Sequence, residues 1–156
     1  MQLTEIIDVN CIKVSMQANH KNQVITELID LLDQNHKIKD REIVLKAVFE
    51  REAIRSTGVG QGFALPHAKT SAVDSLIMAL GKTQTPVDFD SIDGQPVTMI
   101  VLLLSPSDQT GPHIQAIARI SRLMTDRKLR EKLWKSNSPQ ELFQLITQHD
   151  MQNFSR

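Results

Sequence analysis

The chain has 156 residues, 40% of them hydrophobic, which suits one domain with its own core. Lysine plus arginine and aspartate plus glutamate each number 18, and this balance argues against a surface dedicated to nucleic acid or to anionic membranes. One cysteine, Cys11, excludes an intrachain disulfide, no leader pattern opens the chain, and the longest apolar run, residues 99–104, is too short to cross a bilayer, so we expect a cytoplasmic protein without membrane insertion.

Apolar periodicity predicts a strand and two helices in the first third of the chain. Residues 11–16 alternate apolar and polar side chains, as a half-buried strand does. From about residue 20 to residue 35, Val24, Leu28 and Leu32 recur at the spacing of one helical face. Asp40 can accept from the free amides of a first turn, so it predicts a second helix that ends near Arg51 or a turn beyond.

Two longer apolar runs, 76–80 and 97–104, predict the central strands of a sheet. The dipeptide Asp93-Gly94 marks a turn before the second run, and we expect a loop between His67 and Asp74.

Three helix starts follow in the last third. Thr110-Gly111-Pro112 opens a helix with proline in its first turn, Asp126 can cap a short second helix, and residues 138–141 form a capping box for the last. We therefore predict an α/β fold, a sheet of about four or five strands flanked by helices. One domain over residues 1–148 should be followed by a polar tail, 149–156, which frays.

The stretch from Ser56 to Lys69 carries the strongest functional signal. Glycines at positions 58, 60 and 62 precede a short apolar run that ends in Pro66-His67. Proline fixes its own φ and favours extended geometry in the residue before it, so His67 leaves a strand end in a defined direction. We predict that His67 does the chemistry, as a nucleophilic imidazole.

Other familiar sites lack their required residues. The five histidines form no close pair, and the sequence has one cysteine that could serve as a further ligand, so no metal site is predicted. Gly81-Lys82-Thr83 lacks the earlier glycine of a phosphate-binding loop, the glycine strip misses the dinucleotide spacing, and the G-x-S-x-G pattern of serine hydrolases is absent.

Distant residues can complete a site around His67. Arg51 shares a helical face with Val44 and Val48, so it either lines a site or, like Arg55, extends to solvent at a helix C-terminus.

His113 heads the apolar stripe of its helix, where the positive helix end favours a neutral ring. It is either a second imidazole beside an incoming anion or a core histidine. With Arg51, the Ser56 and Thr57 hydroxyls and the amides of the glycine strip could bind phosphoryl oxygens.

Four segments in this order resemble the enzyme IIA domains of the phosphotransferase system, in the mannitol and fructose class that includes the nitrogen-regulatory IIA proteins. The most specific segment runs from Gly62 to Lys69 around Pro66-His67. The others are residues 49–52 with 56–58, residues 87–97, and residues 106–109 leading into His113, so the resemblance spans nearly the whole chain.

This resemblance implies a mixed sheet sandwiched by helices and assigns His67 as the phosphorylated residue, with His113 and Arg51 lining the site. The phosphoryl group would come from phosphohistidine on the carrier HPr or its nitrogen-branch relative, without metal, nucleotide or other cofactor.

Three alternatives for the function of the protein stay open. Gln61 stands where some sugar-specific members have an acidic residue, which favours regulation of partner proteins by phosphorylation. The alternatives are a sugar-specific IIA that passes phosphate to a IIB domain, and an interaction module that carries out no phosphoryl transfer.

Overall fold

The structure is a computed structural model that describes residues 1–154. After a short 3-10 helix at Leu3–Glu5, six strands and five helices follow in the order β1 (Ile7–Met16), α1 (Lys21–Gln34), α2 (Arg41–Ile54), β2 (Gly58–Gly60), β3 (Phe63–Ala64), β4 (His67–Thr70), β5 (Ile77–Val87), β6 (Val97–Pro106), α3 (Thr110–Met124), α4 (Arg127–Lys135) and α5 (Pro139–Phe154).

Three of the predicted helix starts, those of α2, α4 and α5, are confirmed by side-chain caps. The Asp40 carboxylate accepts from the amides of Glu42 and Ile43 at the start of α2. Asp126 accepts from the Leu129 amide at 3.1 Å, and the Ser138 hydroxyl accepts from the Glu141 amide at 3.1 Å. Each cap satisfies first-turn amides that have no partner within the helix.

The sheet is mixed, with strand order β1-β5-β6-β3-β2 and β4 also paired with β6. β5 and β6 are antiparallel neighbours at its middle, as their apolar runs predict, while β1 is parallel to β5 and both β3 and β4 are parallel to β6. The predicted α/β sandwich is therefore confirmed.

The strand count is six, against the four or five expected, because three short strands lie around Pro66. Residues 67–70 form β4 and not the predicted loop, since His67 and the next three residues pair in register with residues 103–106 of β6. Backbone pairing with a buried strand, which no local pattern reveals, supplies the hydrogen bonds of this segment.

Several strands are longer than their apolar patterns. β1 begins four residues before the predicted 11–16 segment, and β5 continues past residue 80 through exposed polar residues to Val87. Pairing with neighbouring strands extends them where side-chain burial gives no signal.

Alternating side chains of the central strands form two cores, one on each face of the sheet. Ala79 and Leu102 pack in the core that includes α1 and α2, whereas Met78, Leu80 and Leu103 pack in the core that includes α3, α4 and α5. Successive strand residues point to opposite faces, so two helical layers are needed to bury both.

The last helix runs through Phe154, so the fraying expected after Gln148 is wrong for residues 149–154. Asp150 is fully buried there, and its carboxylate accepts from Arg119 Nε at 2.5 Å and from the Leu3 amide at 2.8 Å. These bonds tie the end of the chain to its beginning. The division of the chain at residue 148 stays a prediction, and residues 155 and 156 lie outside the described part.

Candidate active site

His67 is the first residue of β4, reached from β3 through Leu65 and Pro66. Its Nδ1 lies 2.8 Å from the carbonyl oxygen of Leu65. A carbonyl can only accept, so Nδ1 carries the proton of the neutral ring and Nε2 carries the lone pair. The backbone holds this geometry, because Leu65 N–H donates to Thr57 O at 2.9 Å and Leu103 N–H donates to Pro66 O at 3.0 Å.

The surroundings of His67 favour its neutral, nucleophilic form. Partial burial lowers the pKa of His67 below its ordinary value, and the positive charge of Arg51 adds to this effect. The hydrogen bond to Leu65 and the negative charge of Glu52 raise the pKa but do not outweigh burial. The ring is therefore neutral near pH 7, with its Nε2 lone pair available.

His113 lies beside His67, in the first turn of α3. The two ring centroids are 5.5 Å apart and the ring planes are tilted by 55°. His113 is only 7% exposed, and its Nδ1 lies 2.7 Å from the hydroxyl of Ser105 at the end of β6. Burial, followed by the charges of His67 and Lys69, lowers the pKa of His113 to about 4. His113 is thus both buried and adjacent to His67.

Arg51 lies in the last turn of α2 and is partly buried, with its guanidinium donating to the Arg55 carbonyl at 2.9 Å. Arg55 itself is exposed and has an extended backbone after the helix end. The helical face that Arg51 shares with Val44 and Val48 therefore ends at Arg51. The buried position in that turn belongs to Glu52, which the stripe does not include.

The hydroxyl groups of Ser56 and Thr57 both donate hydrogen bonds to other groups of the protein. The Ser56 hydroxyl donates to the Phe89 carbonyl at 2.5 Å. The Thr57 hydroxyl donates to Glu52 Oε1, and the Thr57 amide donates to Glu52 Oε2 at 2.7 Å. Phosphoryl binding by these two hydroxyls stays a prediction, and it would require them to exchange partners.

Two charged residues near the histidines were missed by sequence reasoning. Lys69 lies two residues after His67 on β4, and its Nζ donates to the Thr110 hydroxyl at the start of α3 at 3.0 Å. Strand spacing would have placed Lys69 on the side of His67 if residues 67–70 had been assigned to a strand. Glu52 lies in the segment 49–52 that resembles the family, but spacing alone does not place it near the histidines, because its burial depends on contact with Thr57.

Gln61 lies at the tip between β2 and β3 with a positive φ of 60°. Its side-chain oxygen accepts from the guanidinium of Arg130 on α4, and its amide donates to Asp93 Oδ2 at 2.9 Å. The position that suggested a branch of the family is thus tied to α4.

The described residues contain no cluster of three histidine, cysteine or acidic side chains able to hold a metal ion. Within residues 1–154, no helix has the length and apolar character that crossing a membrane takes. The geometry brings together an imidazole held through its Nδ1 and a second imidazole whose ring centroid is 5.5 Å away, an arrangement that suits the acceptance of an electrophilic, anionic group.

A family model described as the phosphoenolpyruvate-dependent sugar phosphotransferase system, EIIA 2, matches residues 5–149. The chain belongs to this family. It is a phosphotransferase component of the type that carries a phosphohistidine intermediate, and the resemblance drawn from the sequence is confirmed.

Relatives in both functional branches match at similar identity. The nitrogen regulatory protein of Bradyrhizobium diazoefficiens is 31% identical over 94% of this chain and 95% of its own length. The fructose-specific EIIABC component of Bacillus subtilis is 33% identical over 96% of this chain, but the chain spans only 24% of that protein.

Solved structures share the fold. The nitrogen regulatory protein IIA-Ntr of Neisseria meningitidis aligns with a TM-score of 0.87 at 31% identity, over 93% of this chain and 99% of that one. Mannitol enzyme IIA of Escherichia coli, in its complex with phosphorylated enzyme IIB, aligns with a TM-score of 0.76 at 18% identity, over 90% of this chain and 98% of that one.

Proposed function

We propose that Nε2 of His67 accepts a phosphoryl group from phosphohistidine on an HPr-type carrier protein, and that the phosphorylation state of His67 regulates partner proteins. One observation carries the assignment of the residue and its atom. Because Nδ1 of His67 donates to the Leu65 carbonyl at 2.8 Å, the lone pair of the neutral ring lies on Nε2.

The proposed transfer needs little chemistry beyond positioning. The Nε2 lone pair of His67 forms the new bond to phosphorus, while the bond from phosphorus to the donor's histidine nitrogen breaks and its electron pair returns to that nitrogen. Phosphohistidine is already an activated donor, so in-line placement and stabilisation of the three phosphoryl oxygens are the protein's contribution. Neither a metal nor a nucleotide enters this step.

Arg51 and His113 are the proposed partners of the phosphoryl oxygens. Arg51 has a positive charge that acts on His67, and its guanidinium can donate to phosphoryl oxygens. The ring of His113 lies 5.5 Å from that of His67, a spacing that leaves its Nε2 within reach of a group attached to the neighbouring ring. Ser56 and Thr57 remain candidates for further donors.

Regulation is the favoured destination because the nitrogen regulatory protein IIA-Ntr of Neisseria meningitidis aligns with a TM-score of 0.87 at 31% identity, against 0.76 at 18% for mannitol enzyme IIA. Gln61, in the position where some sugar-specific members carry an acid, supports the same branch. We place the reaction in the cytoplasm, in keeping with a lone cysteine that is buried and unpaired.

The second candidate is a sugar-specific component that passes its phosphoryl group to a IIB domain. The fructose-specific relative at 33% identity and the mannitol IIA–IIB complex with the same fold favour this alternative. Incubation of the phosphorylated protein with purified mannitol or fructose IIB domains separates the two, since a regulatory protein should retain its label.

The test of the primary proposal is incubation with radiolabelled phosphoenolpyruvate, enzyme I and HPr. We expect acid-labile, base-stable label on the wild-type protein and on His20→Ala, whose histidine is exposed, and none on His67→Ala. Label that persists on His67→Ala would overturn the assignment. A folded wild-type protein that takes up no label, and binds partners equally as wild type and His67→Ala, would instead indicate an interaction module.

A further inference from the structure

A buried carboxylate lies behind the backbone that supports His67. Glu52 is 7% exposed, and both of its oxygens accept from Thr57, one from the amide at 2.7 Å and one from the hydroxyl. Lys21 Nζ lies 3.5 Å from the same oxygen that binds the amide. Burial of a carboxylate is costly without such partners, so the contacts of Glu52 form a specific arrangement.

A chain of hydrogen bonds leads from Glu52 to the reactive ring. Glu52 holds Thr57 by its amide and hydroxyl, and the Thr57 carbonyl in turn accepts from the Leu65 amide at 2.9 Å. The Leu65 carbonyl then accepts from His67 Nδ1 at 2.8 Å. These hydrogen bonds connect the carboxylate of Glu52 to the backbone carbonyl that holds the imidazole of His67.

Lys21 places a positive charge beside the buried carboxylate of Glu52. It is the first residue of α1, where the helix dipole disfavours a cation. There it lies within 4.0 Å of both Glu52 and Asp90 and 5.1 Å from the centroid of the Phe89 ring. These contacts offset the unfavourable position of the lysine.

We propose that Glu52 is a positioning residue for phosphoryl transfer, which orients His67 through Thr57 and Leu65 and stabilises the positive charge that its ring gains on phosphorylation. This inference rests on the proposed function.

The positive charge arises because Nδ1 keeps its proton. When Nε2 of His67 bonds to phosphorus and the donor nitrogen leaves with its electron pair, the Nδ1 proton stays in its bond to Leu65. Both ring nitrogens are then substituted, and the imidazole is cationic. A carboxylate nearby and a carbonyl on the Nδ1 proton both favour that form. His113 lies beside the ring, with centroids 5.5 Å apart. The positive charge of Arg51 lowers the pKa of His67, so it opposes the effect of Glu52.

The test is Glu52→Gln, which preserves size and removes the charge. Glu50→Gln is the matched control, since Glu50 is an exposed residue of the same helix and forms a surface ion pair with Lys46 at 3.9 Å. We expect Glu52→Gln to lower the pKa of His67 measured by histidine ring NMR, and to slow phosphorylation by HPr on the order of tenfold. Glu50→Gln should change neither the pKa of His67 nor the rate of phosphorylation. Glu52→Asp keeps the charge and should give His67 a pKa between those of Glu52→Gln and wild type.

A carboxylate that only stabilises the fold would give another result. Glu52→Gln would then lower the melting temperature while the pKa and tautomer of His67 and the transfer rate of the folded protein stayed at wild-type values, which would overturn the inference. If Glu52→Gln does not fold, Thr57→Val removes the hydroxyl contact from its other end and should change the pKa or the tautomer of His67 in the unphosphorylated protein, a readout that does not depend on phosphoryl binding by Thr57. Wild-type values of both in Thr57→Val would be equally contrary. Failure of the proposed function is distinguishable, because the wild type itself would take up no label.

Discussion

His67 and His113 are neighbours with ring centroids 5.5 Å apart, and each has a hydrogen-bonded Nδ1. The Leu65 carbonyl fixes one ring and the Ser105 hydroxyl holds the other. Both Nδ1 atoms are thus engaged, so Nε2 is the nitrogen of each ring that remains for an incoming group. Residues 46 positions apart in the sequence meet because β4 pairs with β6 and α3 follows β6 directly.

Replacement of His113 by alanine should slow phosphorylation of His67 by about 10² or more, because a donor to the developing charge is lost. The same variant leaves the buried Ser105 hydroxyl without its partner, which should cost about 1–3 kcal/mol of unfolding free energy. Rapid-quench labelling by phosphorylated HPr and thermal melts measure the two effects. A variant that melts far earlier yet accepts phosphate at the wild-type rate would make His113 a core histidine only.

The protein should lose stability as the pH falls from about 6.5 to about 4, in part because of His113. Its pKa is lowered from 6.5 to about 4 in the folded state, so between these values the unfolded chain binds more protons and unfolding becomes easier. Above pH 6.5 neither state binds this proton, so none of this free energy of unfolding is lost. Below pH 4 the loss is complete and amounts to about 3 kcal/mol. Urea unfolding of wild type and His113→Gln at pH 7 and pH 4.5 tests this: the difference between the two pH values should be smaller in the variant. An unchanged difference would contradict the assignment.

Arg51→Gln should raise the pKa of His67, the direction opposite to that expected for Glu52→Gln, because the arginine charge lowers this pKa in the wild type. Phosphoryl transfer should nevertheless become slower, since a donor to the phosphoryl oxygens is removed. NMR titration and labelling of the same sample separate the two effects. Arg55→Gln is the control, because Arg55 is exposed beyond the helix end. Equal pKa values for His67 in Arg51→Gln and wild type would contradict the placement of Arg51.

The fold could be predicted from sequence wherever burial leaves a periodic pattern or a cap. Asp40, Asp126 and Ser138 each mark a helix start correctly, and the apolar runs identify β5 and β6 as central. β4 could not be found in this way, because its identity as a strand depends on pairing with a distant segment and not on its own side chains.

The sequence predicts those residues of the candidate site that have a local or periodic signal. Pro66-His67 is a local signal, and His113 heads a periodic stripe, so the sequence indicates both residues. Glu52 lies in the segment 49–52 that resembles the family, but no local pattern indicates a role for it: it follows Arg51 on α2, and its contact with Thr57 accounts for its burial. Contacts across a chain reversal have no pattern in a single sequence.

Gly62→Ala should destabilise the protein by about 1 kcal/mol or more. Gly62 has a φ of 82°, which L-residues rarely adopt, and an added Cβ would lie 3.3 Å from a ring carbon of Trp134. Gly111→Ala, in the first turn of α3, should be neutral or stabilising, because nothing lies within 4 Å of its added Cβ. Chemical denaturation of the two variants compares them. Equal stabilities would show that the tip before β3 tolerates a side chain.

The nitrogen that carries the phosphoryl group tests the central claim most directly. After phosphorylation by phosphoenolpyruvate, enzyme I and HPr, ¹⁵N-labelled protein should show coupling of phosphorus to Nε2 of His67, with Nδ1 still protonated. Phosphorus bonded to Nδ1, or to any residue other than His67, would contradict the account, because the Leu65 carbonyl holds the Nδ1 proton at 2.8 Å.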